Sequence, residues 1–596
     1  MPKRWRIRPH DPTAVAALER AAGVPGVMAA LLVARGITDA AAVKAFLSGT
    51  LADLHDPELL PGVPEAADRI LAAARAGRKI VVHGDYDADG MSATAILVGC
   101  LEALDAKPAW YVPDRFEEGY GLKSASLETL AQDGAELVVT VDCGIRSLDE
   151  AARARELGLG LIVTDHHEFG AELPAADVIV HPRLPGGGYP FGDLCGAAVA
   201  FKLAWAIATR ASGAKQVTPR LREMLLRSIG LAALGTVTDV MPLVGENRIL
   251  VQQGLKCLRD RGGPGIDRLV ALTGIAEKSA LDAEDVAFKI GPRLNAAGRM
   301  DHAGHGVELL VTPDPARAAS LADWLHERNA EREGVERSLQ LAATKQAREI
   351  HDPDRDAALV LADRGWHKGV IGIVAGRLVE RWHRPVVMLA RGAHEGCPAT
   401  GSVRGVPGVD VQDVLESCRH LLVTCGGHAA AAGLTIDDRN IDEFRTAFVA
   451  EVDRRLPPEA RRPLLTLDGE TSLAGLTREA VEQVERLAPF GQGNRRPLLC
   501  ASGVALAEPA RAIGASGKTL ALQLVQHGAR MRGVAFGAAD WLPHLPAPGQ
   551  PFHVAFRPKI NEFRGRRTAE LEIVDWRPDG VPVDADLPDL PVPAGA

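Results

Sequence analysis

The stretch His83-Gly84-Asp85-Tyr86-Asp87-Ala88-Asp89-Gly90 places one imidazole and three carboxylates within a few residues of one another. Anions at that density repel one another near neutral pH unless a cation compensates them. Oxygen and imidazole donors suit hard or borderline divalent ions such as Mn²⁺ or Mg²⁺. Taken alone, the stretch also fits a solvated acidic turn with an incidental histidine. More donors follow at Asp142-Cys143-Gly144, Asp165-His166-His167-Glu168 and Asp239. Asp142 by itself reads more simply as the cap of a helix starting near Ser147, and the Asp-His-His triplet fits a plain loop equally well. Asp239, in an apolar frame ahead of Pro242, needs a partner.

Short apolar runs at 80–82, 109–112, 137–141, 161–164 and 178–180 alternate with helical patterns, which predicts βαβ units and a mainly parallel sheet. The first, third and fourth runs end in the candidate ligands. Open α/β sheets form their sites outside the carboxyl ends of the strands, so segments distant in sequence can deliver side chains to one place. Helical patterns cover 91–104, 196–210 and 221–234, the last broken at 235–242. Gly291-Pro292-Arg293-Leu294-Asn295-Ala296-Ala297-Gly298-Arg299 reads as a phosphate-contacting turn or as a surface loop with solvated arginines.

From 314 to 351 the pattern is one long, charged, alanine-rich helix. Beyond it a second α/β grammar begins, with strands expected at 357–362 and 385–390 and a helix at 369–381. It contains Gly401-Ser402-Val403-Arg404-Gly405 and Cys425-Gly426-Gly427-His428, followed by an alanine run read as a helix. Paired glycines before a helix offer backbone N–H groups to an anion. After the prolines at 457, 458 and 463, short alternating runs predict a small barrel of the OB type, with one helix near 478–488. Arg557, Lys559, Arg564, Arg566 and Arg567 are interleaved there with Phe552, Phe556 and Phe563. That interleaving suits single-stranded nucleic acid, and a solvated hairpin with core aromatics is the equal alternative.

At 596 residues the chain is too long for one core. No apolar run is long enough to span a bilayer, and the basic start leads into no signal core, so a cytoplasmic protein without membrane association is the expectation. The eight cysteines form no CxxC pair, which argues against a disulfide framework and a zinc finger. A net charge of −9 speaks against indiscriminate coating of nucleic acid but leaves room for a local basic groove.

Together, His83-x-Asp85-x-Asp87-x-Asp89-Gly90, Asp142-Cys143-Gly144, Asp165-His166-His167, Asp239 and Gly426-Gly427-His428 resemble the motifs of the DHH phosphoesterase superfamily. Within it the chain is most similar to the RecJ family of bacterial single-strand-specific 5′→3′ exonucleases. The resemblance runs from about Glu65 to Trp576. It implies an α/β multidomain fold: a lead segment over 1–50, a parallel-sheet DHH catalytic domain over 51–313 and a connector helix over 314–351. A DHHA1-like substrate domain over 352–456, an OB-type barrel over 463–577 and a disordered tail over 578–596 complete the expectation.

The resemblance further implies two Mn²⁺ or Mg²⁺ ions, one held by His83 and Asp87, the other by Asp89, His166 and Asp239, with Asp142 bridging them. It puts Asp85 and Asp165 in supporting catalytic roles and His167 near the scissile phosphate. Arg115, Arg293, Asn295, Arg299, Ser402, Arg404, Gly426, Gly427 and His428 are its candidates for substrate phosphate. The implied activity is stepwise release of nucleoside 5′-monophosphates from single-stranded DNA in repair and recombination, by a monomer working with single-strand-binding protein and a helicase. Two alternatives come from the same superfamily. Short-RNA or cyclic-dinucleotide phosphodiesterases lack the barrel, and inactive replication scaffolds are opposed by the intact ligand positions.

Overall fold

The structure, a computed structural model, describes residues 3–213, 216–352, 355–392, 394, 396–563 and 565–580. Arg564 and residues 581–596, most of the expected disordered tail, lie outside the described residues. The chain divides into two compact units, one of Ser48–Arg332 with Ala488–Arg496, the other of the remaining segments.

The first unit is built on a five-stranded, wholly parallel sheet. Its order is Ala109–Tyr111, Ile80–His83, Leu137–Val141, Gly160–Thr164, Val178–Val180. The central strands are buried on both faces, as their near-continuous Val, Ile and Leu content requires. The register sets His83 beside Thr140 and Val141 beside Thr164, so the strands deliver their loops along one edge. Helices Ala88–Ala103, Gly196–Ser212 and Pro219–Thr238 pack around one apolar core with this sheet. The first of them starts earlier than the sequence pattern suggests and therefore carries Asp89 in its first turn. Pro219–Thr238 runs through the expected break at Gly235 because a glycine there fits against its neighbours without ending the helix. The segment expected as a turn at 291–299 is the helix Gly291–Met300, with Pro292 in its first turn.

One buried ion pair ties this unit together. Lys202, on the helix Gly196–Ser212, is fully buried and donates to Glu246 and to the carbonyl of His55 (2.6 Å). Glu246 also accepts from the His55 N–H at 2.9 Å and the Tyr189 hydroxyl at 2.6 Å. Four segments thus depend on a carboxylate and an ammonium that only each other's charge makes tolerable in the interior.

The long helix is Pro315–Ile350, 36 residues, divided between the two units after Arg332. Its buried positions Ala318, Leu321, Ala322 and Leu325, then Leu339, Ala343 and Ala347, keep helical spacing.

In the second unit a mixed sheet runs Leu422–Gly427, Ala431–Ile436, Ala399–Arg404, Val386–Ala390, Leu359–Asp363. The alanine run after His428 enters a strand of this sheet, not a helix, since its alternate positions pack against Ala399–Arg404. The barrel closes when Leu499–Leu506 pairs with both Pro551–Phe563 and Thr519–Gln526. A strand that the sequence does not reveal, Arg4–Ile7, pairs in parallel with Leu464–Leu467, and Trp5 Nε1 donates to Asp575 at 2.8 Å. No single described helix is long and apolar enough to cross a membrane.

Lys202→Met should lower the unfolding free energy by about 3–5 kcal/mol, because it strands the Glu246 carboxylate in the core. Urea denaturation reads this directly. A loss below about 1 kcal/mol would show that the carboxylate does not depend on its cation.

Candidate metal centre and substrate contacts

Three neighbouring strand ends and one helix end converge on a cluster of acids and imidazoles. The Ile80–His83 strand leads into Asp85, Asp87 and Asp89, Leu137–Val141 into Asp142, and Gly160–Thr164 into Asp165, His166 and His167. Asp239 is the C-terminal cap of Pro219–Thr238. His166 Nε2 lies 3.0 Å from Asp142 Oδ1, 3.6 Å from Asp239 Oδ2 and 3.9 Å from Asp89 Oδ2. Three sets, Asp89–His166–Asp239, Asp85–Asp87–Asp142 and Asp142–His166–His167, each bring their ligand atoms within 4.8 Å of one another. His83 belongs to none of these sets, although it is fully buried at the end of its strand.

The donors fit divalent ions. Nε2 of His83, Oδ1 of Asp85, Oδ1 of Asp142 and Nε2 of His166 are buried without a hydrogen-bond partner, a costly state unless something else binds them. The 3.0 Å approach of His166 to Asp142 lacks hydrogen-bond geometry. Two ligands of a single ion can adopt that spacing. Cys143 and Cys195 lie close by, and burial raises both thiols well above their ordinary range; neither belongs to the three sets, whose donors are oxygen and nitrogen.

Backbone geometry places each group. Asp87 caps the helix Ala88–Ala103, accepting from the N–H groups of Asp89 at 2.9 Å and Gly90 at 3.0 Å. Asp89 is gripped by another helix start: Gly196 N–H donates to Oδ2 at 2.7 Å and Ala197 N–H to Oδ1 at 3.0 Å. Asp142 does not cap the following helix, whose N-cap is Ser147. It turns into the left-handed region at φ +63, a conformation aspartate tolerates and one that functional sites retain. Close approach demands glycine twice. A Cβ at Gly196 would sit 2.5 Å from Asp142, and one at Gly235 would sit 2.1 Å from Asp89 Oδ1.

Electrostatics follow from burial. Asp85, Asp89, Asp142 and Asp239 all have raised carboxyl pKa values, first through loss of water; the charge of Asp87 adds to each, and Asp89 and Asp85 raise Asp142 and Asp239 further. Burial lowers His83 and His166 to about 4, so both are neutral and able to ligate. His167 differs. Burial disfavours its charge, but the hydrogen bond and charge of Asp165 outweigh that and raise it to about 9. Asp165 has a different place from the other acids. It accepts from Ile145, His166 and His167 N–H groups and from His167 Nδ1 at 2.8 Å, and these contacts hold it below the usual carboxylate range despite its burial. Tyr120, which sequence reasoning missed, sits 3.1 Å from His167 Nδ1 and donates to the Asp142 carbonyl at 3.2 Å. Its only sequence signal is the Gly119-Tyr120-Gly121 turn.

The candidates for substrate phosphate fall in both units. In the first, the Arg115 guanidinium lies 5.0 Å from the Tyr86 ring centroid. Arg293 donates to His326 Nδ1 at 3.1 Å and to the Lys289 carbonyl at 2.6 Å. Asn295 accepts from Ala88 N–H at 2.8 Å, which makes it a brace for the acidic turn. Arg299 is half-buried in the last turn of the same helix. In the second unit, Ser402 and Arg404 share one face of their strand, with Arg404 Nη1 donating to Ser402 Oγ at 2.9 Å. Ser402 pairs with Gly433, which pairs with Gly426, so no side chain stands beside the serine across two strands. Gly427 ends the strand, and exposed His428 forms the hairpin turn with Ala431.

In the barrel Phe552 and Phe556 are fully buried core residues, as the alternative of core aromatics has it, and the Phe563 side chain lies outside the described residues. Of the basic residues, Arg557 pairs with Glu572 at 3.0 Å, Lys559 with the same carboxylate at 3.6 Å, and Arg567 with Glu482 at 3.1 Å. Arg566 is exposed.

A parallel sheet that presents Asp-rich, His-rich loops at its carboxyl edge defines a phosphoesterase of the DHH type. Residues 79–232 match the DHH family N-terminal domain, 356–454 the DHHA1 domain and 467–575 the RecJ OB domain. The chain is 35% identical over 574 residues to the single-stranded-DNA-specific exonuclease RecJ of Bacillus subtilis, covering 96% of this chain and 70% of that protein. It is 36% identical to RecJ of Escherichia coli, covering 93% and 96% respectively. The crystal structure of Thermus thermophilus RecJ in complex with Mn²⁺ superimposes with a TM-score of 0.82 at 33% identity, covering 97% of this chain and 80% of that one. Its Mg²⁺ complex gives 0.77. The chain belongs to the RecJ family.

Gly235→Ala should displace the Asp89 carboxylate and weaken Mn²⁺ binding by roughly 10- to 100-fold, as losses around a metal ligand do. Gly99→Ala, in the same buried unit but with nothing within 4 Å of the added carbon, serves as the control. Calorimetric titration with Mn²⁺ compares them; equal affinities would show that Asp89 is not confined by Gly235.

Proposed function

We propose that the chain is a metal-dependent exonuclease that degrades single-stranded DNA in the 5′→3′ direction, releasing nucleoside 5′-monophosphates in DNA repair and recombination. The observation that carries this reading is the convergence of Asp89, Asp142, His166 and Asp239 with unpartnered buried donors, in a chain of the RecJ family. His83 and Asp87 are assigned to one ion, Asp89, His166 and Asp239 to a second, and Asp142 to both. When bound, two Mn²⁺ or Mg²⁺ ions supply Lewis-acid charge that activates water and stabilises the departing oxygen.

The protein's own groups do the rest. Asp85, buried beside Asp87, adds negative charge that favours cation uptake. His167, held by Asp165 at 2.8 Å, is assigned to stabilising charge that builds on the phosphoryl oxygens. Asp165 orients that imidazole, and Tyr120 closes over its Nδ1. Arg115, Arg293 and Arg299 are assigned to backbone phosphates, with Asn295 bracing the acidic turn. Ser402, Arg404 and the Gly426-Gly427-His428 hairpin are assigned to a terminal 5′ phosphate. A guanidinium fork and open backbone suit a dianion better than a diester. The exposed barrel residues Arg566 and Arg567, with Arg557 and Lys559, are assigned to backbone contacts further along the strand. The domain roles expected from the sequence belong to the same proposal. So does a cytoplasmic monomer that works with single-strand-binding protein and a helicase.

End-labelled single-stranded DNA, duplex DNA and RNA, incubated with Mn²⁺ and with EDTA as control, test the reading. Mononucleotides should leave the 5′ end of the single strand, and Asp142→Ala should reduce cleavage to background while remaining folded. Release from the 3′ end, or near wild-type turnover by Asp142→Ala, would contradict it. Arg404→Ala should raise KM about 30-fold, a loss on the order of 2 kcal/mol, and by less for strands that lack the terminal phosphate. An equal effect on both strands would remove Arg404 from the terminal-phosphate site.

A further inference from the structure

Phe288 is the most exposed large apolar side chain among the described residues, at 76%. It sits in a wide π turn, Val286–Ile290, between the capped turn Ala283–Asp285 and the helix Gly291–Met300. Turns of this kind occur often at functional sites. Nothing about the segment is loose. Asp282 and Asp285 cap each other, and buried Asp285 accepts from Lys278 at 2.6 Å and Lys289 at 3.1 Å. Val286 and Ile290, on either side of the phenylalanine, are fully buried. A well-anchored backbone therefore holds one aromatic ring in water.

The segment is attached to the acidic cluster at three points. Gly291 lies so close to Thr238 that a Cβ would meet its Cγ2 at 2.4 Å, and Thr238 immediately precedes Asp239. Asn295 holds the Ala88 N–H beside Asp87 and Asp89, and Gly298 abuts the Tyr86 carbonyl. Val240, next to Asp239, is 62% exposed and stands at φ +57, a strained value for a β-branched residue. Both exposed apolar groups thus lie on the chain segments that meet at the Gly291–Thr238 contact, with Lys289, paired to Asp285, and Arg293 on the same short stretch as Phe288. A nucleobase has the flat apolar face that such a ring accepts, and the phosphates joined to it suit the cations.

We propose that Phe288 is a stacking platform for one base of a single-stranded nucleic acid substrate, fixing the strand beside the acidic cluster. This rests on the single-strand nuclease reading above. It adds a base contact in the first unit to the phosphate contacts assigned there.

The test is steady-state cleavage by the full chain with Mn²⁺, on a single-stranded oligonucleotide and on a set carrying one abasic site at each position in turn. For wild type, one position should show a raised KM when its base is missing. Phe288→Ala should raise KM for the intact strand about tenfold and lose the penalty at that position. Phe288→Trp should restore both. The alanine variant keeps the fold, because the side chain is in solvent and alanine favours helix. Leu341→Ala, 73% exposed on the long helix, should leave KM unchanged. Wild-type cleavage with an unchanged KM for Phe288→Ala, or a persisting abasic penalty in that variant, would overturn this inference alone. Absence of single-strand cleavage by wild type would overturn the proposed function and this inference with it.

Discussion

Mutual repulsion among buried carboxylates is the constraint on which this architecture depends. Asp85, Asp89 and Asp142 are nearly inaccessible, Asp239 closes the set, and each raises the cost of ionising the others. Left to themselves they would take up protons or pull the strand ends apart. The fold resists this by partial compensation. A helix start grips Asp89, a helix cap occupies Asp87, and Asp165 is satisfied by four donors. What remains uncompensated is confined to a few atoms, those without hydrogen-bond partners. A site tuned in this way is stable enough to fold and electrostatically incomplete until a cation binds.

That balance explains why such ordinary residues as Gly196 and Gly235 matter. Helix packing must bring backbone within contact distance of two carboxylates, and no side chain fits at either point. The Lys202–Glu246 pair serves the same end from further away. It fixes the helix whose first N–H groups hold Asp89. Stability of this unit and geometry of the metal centre are thus supported by the same helix, so a core substitution there would reach the chemistry without touching it.

Much of this was legible in the sequence because the chemistry is dense and local. The His83-to-Asp89 stretch, the Asp-His-His triplet and the alternation of apolar runs with helical patterns fix the parallel sheet and the edge where its ligands gather. Other features were hidden for physical reasons. Arg4–Ile7 is too short to show periodicity, and its partner lies some 460 residues away in the chain. The alanines after His428 favour helix on their own, and pairing with Ala399–Arg404 overrides that preference. Phe552 and Phe556 alternate with basic residues as DNA-contacting aromatics would. The same period of two also puts them inside a barrel, and only closure distinguishes the cases. Tyr120 reaches His167 from a different loop, a contact that no spacing announces.

The central claim is that the acidic cluster is completed by divalent cations. Equilibrium dialysis of metal-depleted protein against Mn²⁺, with the unfolding temperature followed on the same samples, tests it most directly. The account predicts two Mn²⁺ per chain and a rising unfolding temperature, since a ligand at about a hundred times its dissociation constant adds about 2.7 kcal/mol to the folded state. A chain that retains no Mn²⁺ and unfolds at the same temperature with and without it would contradict the claim.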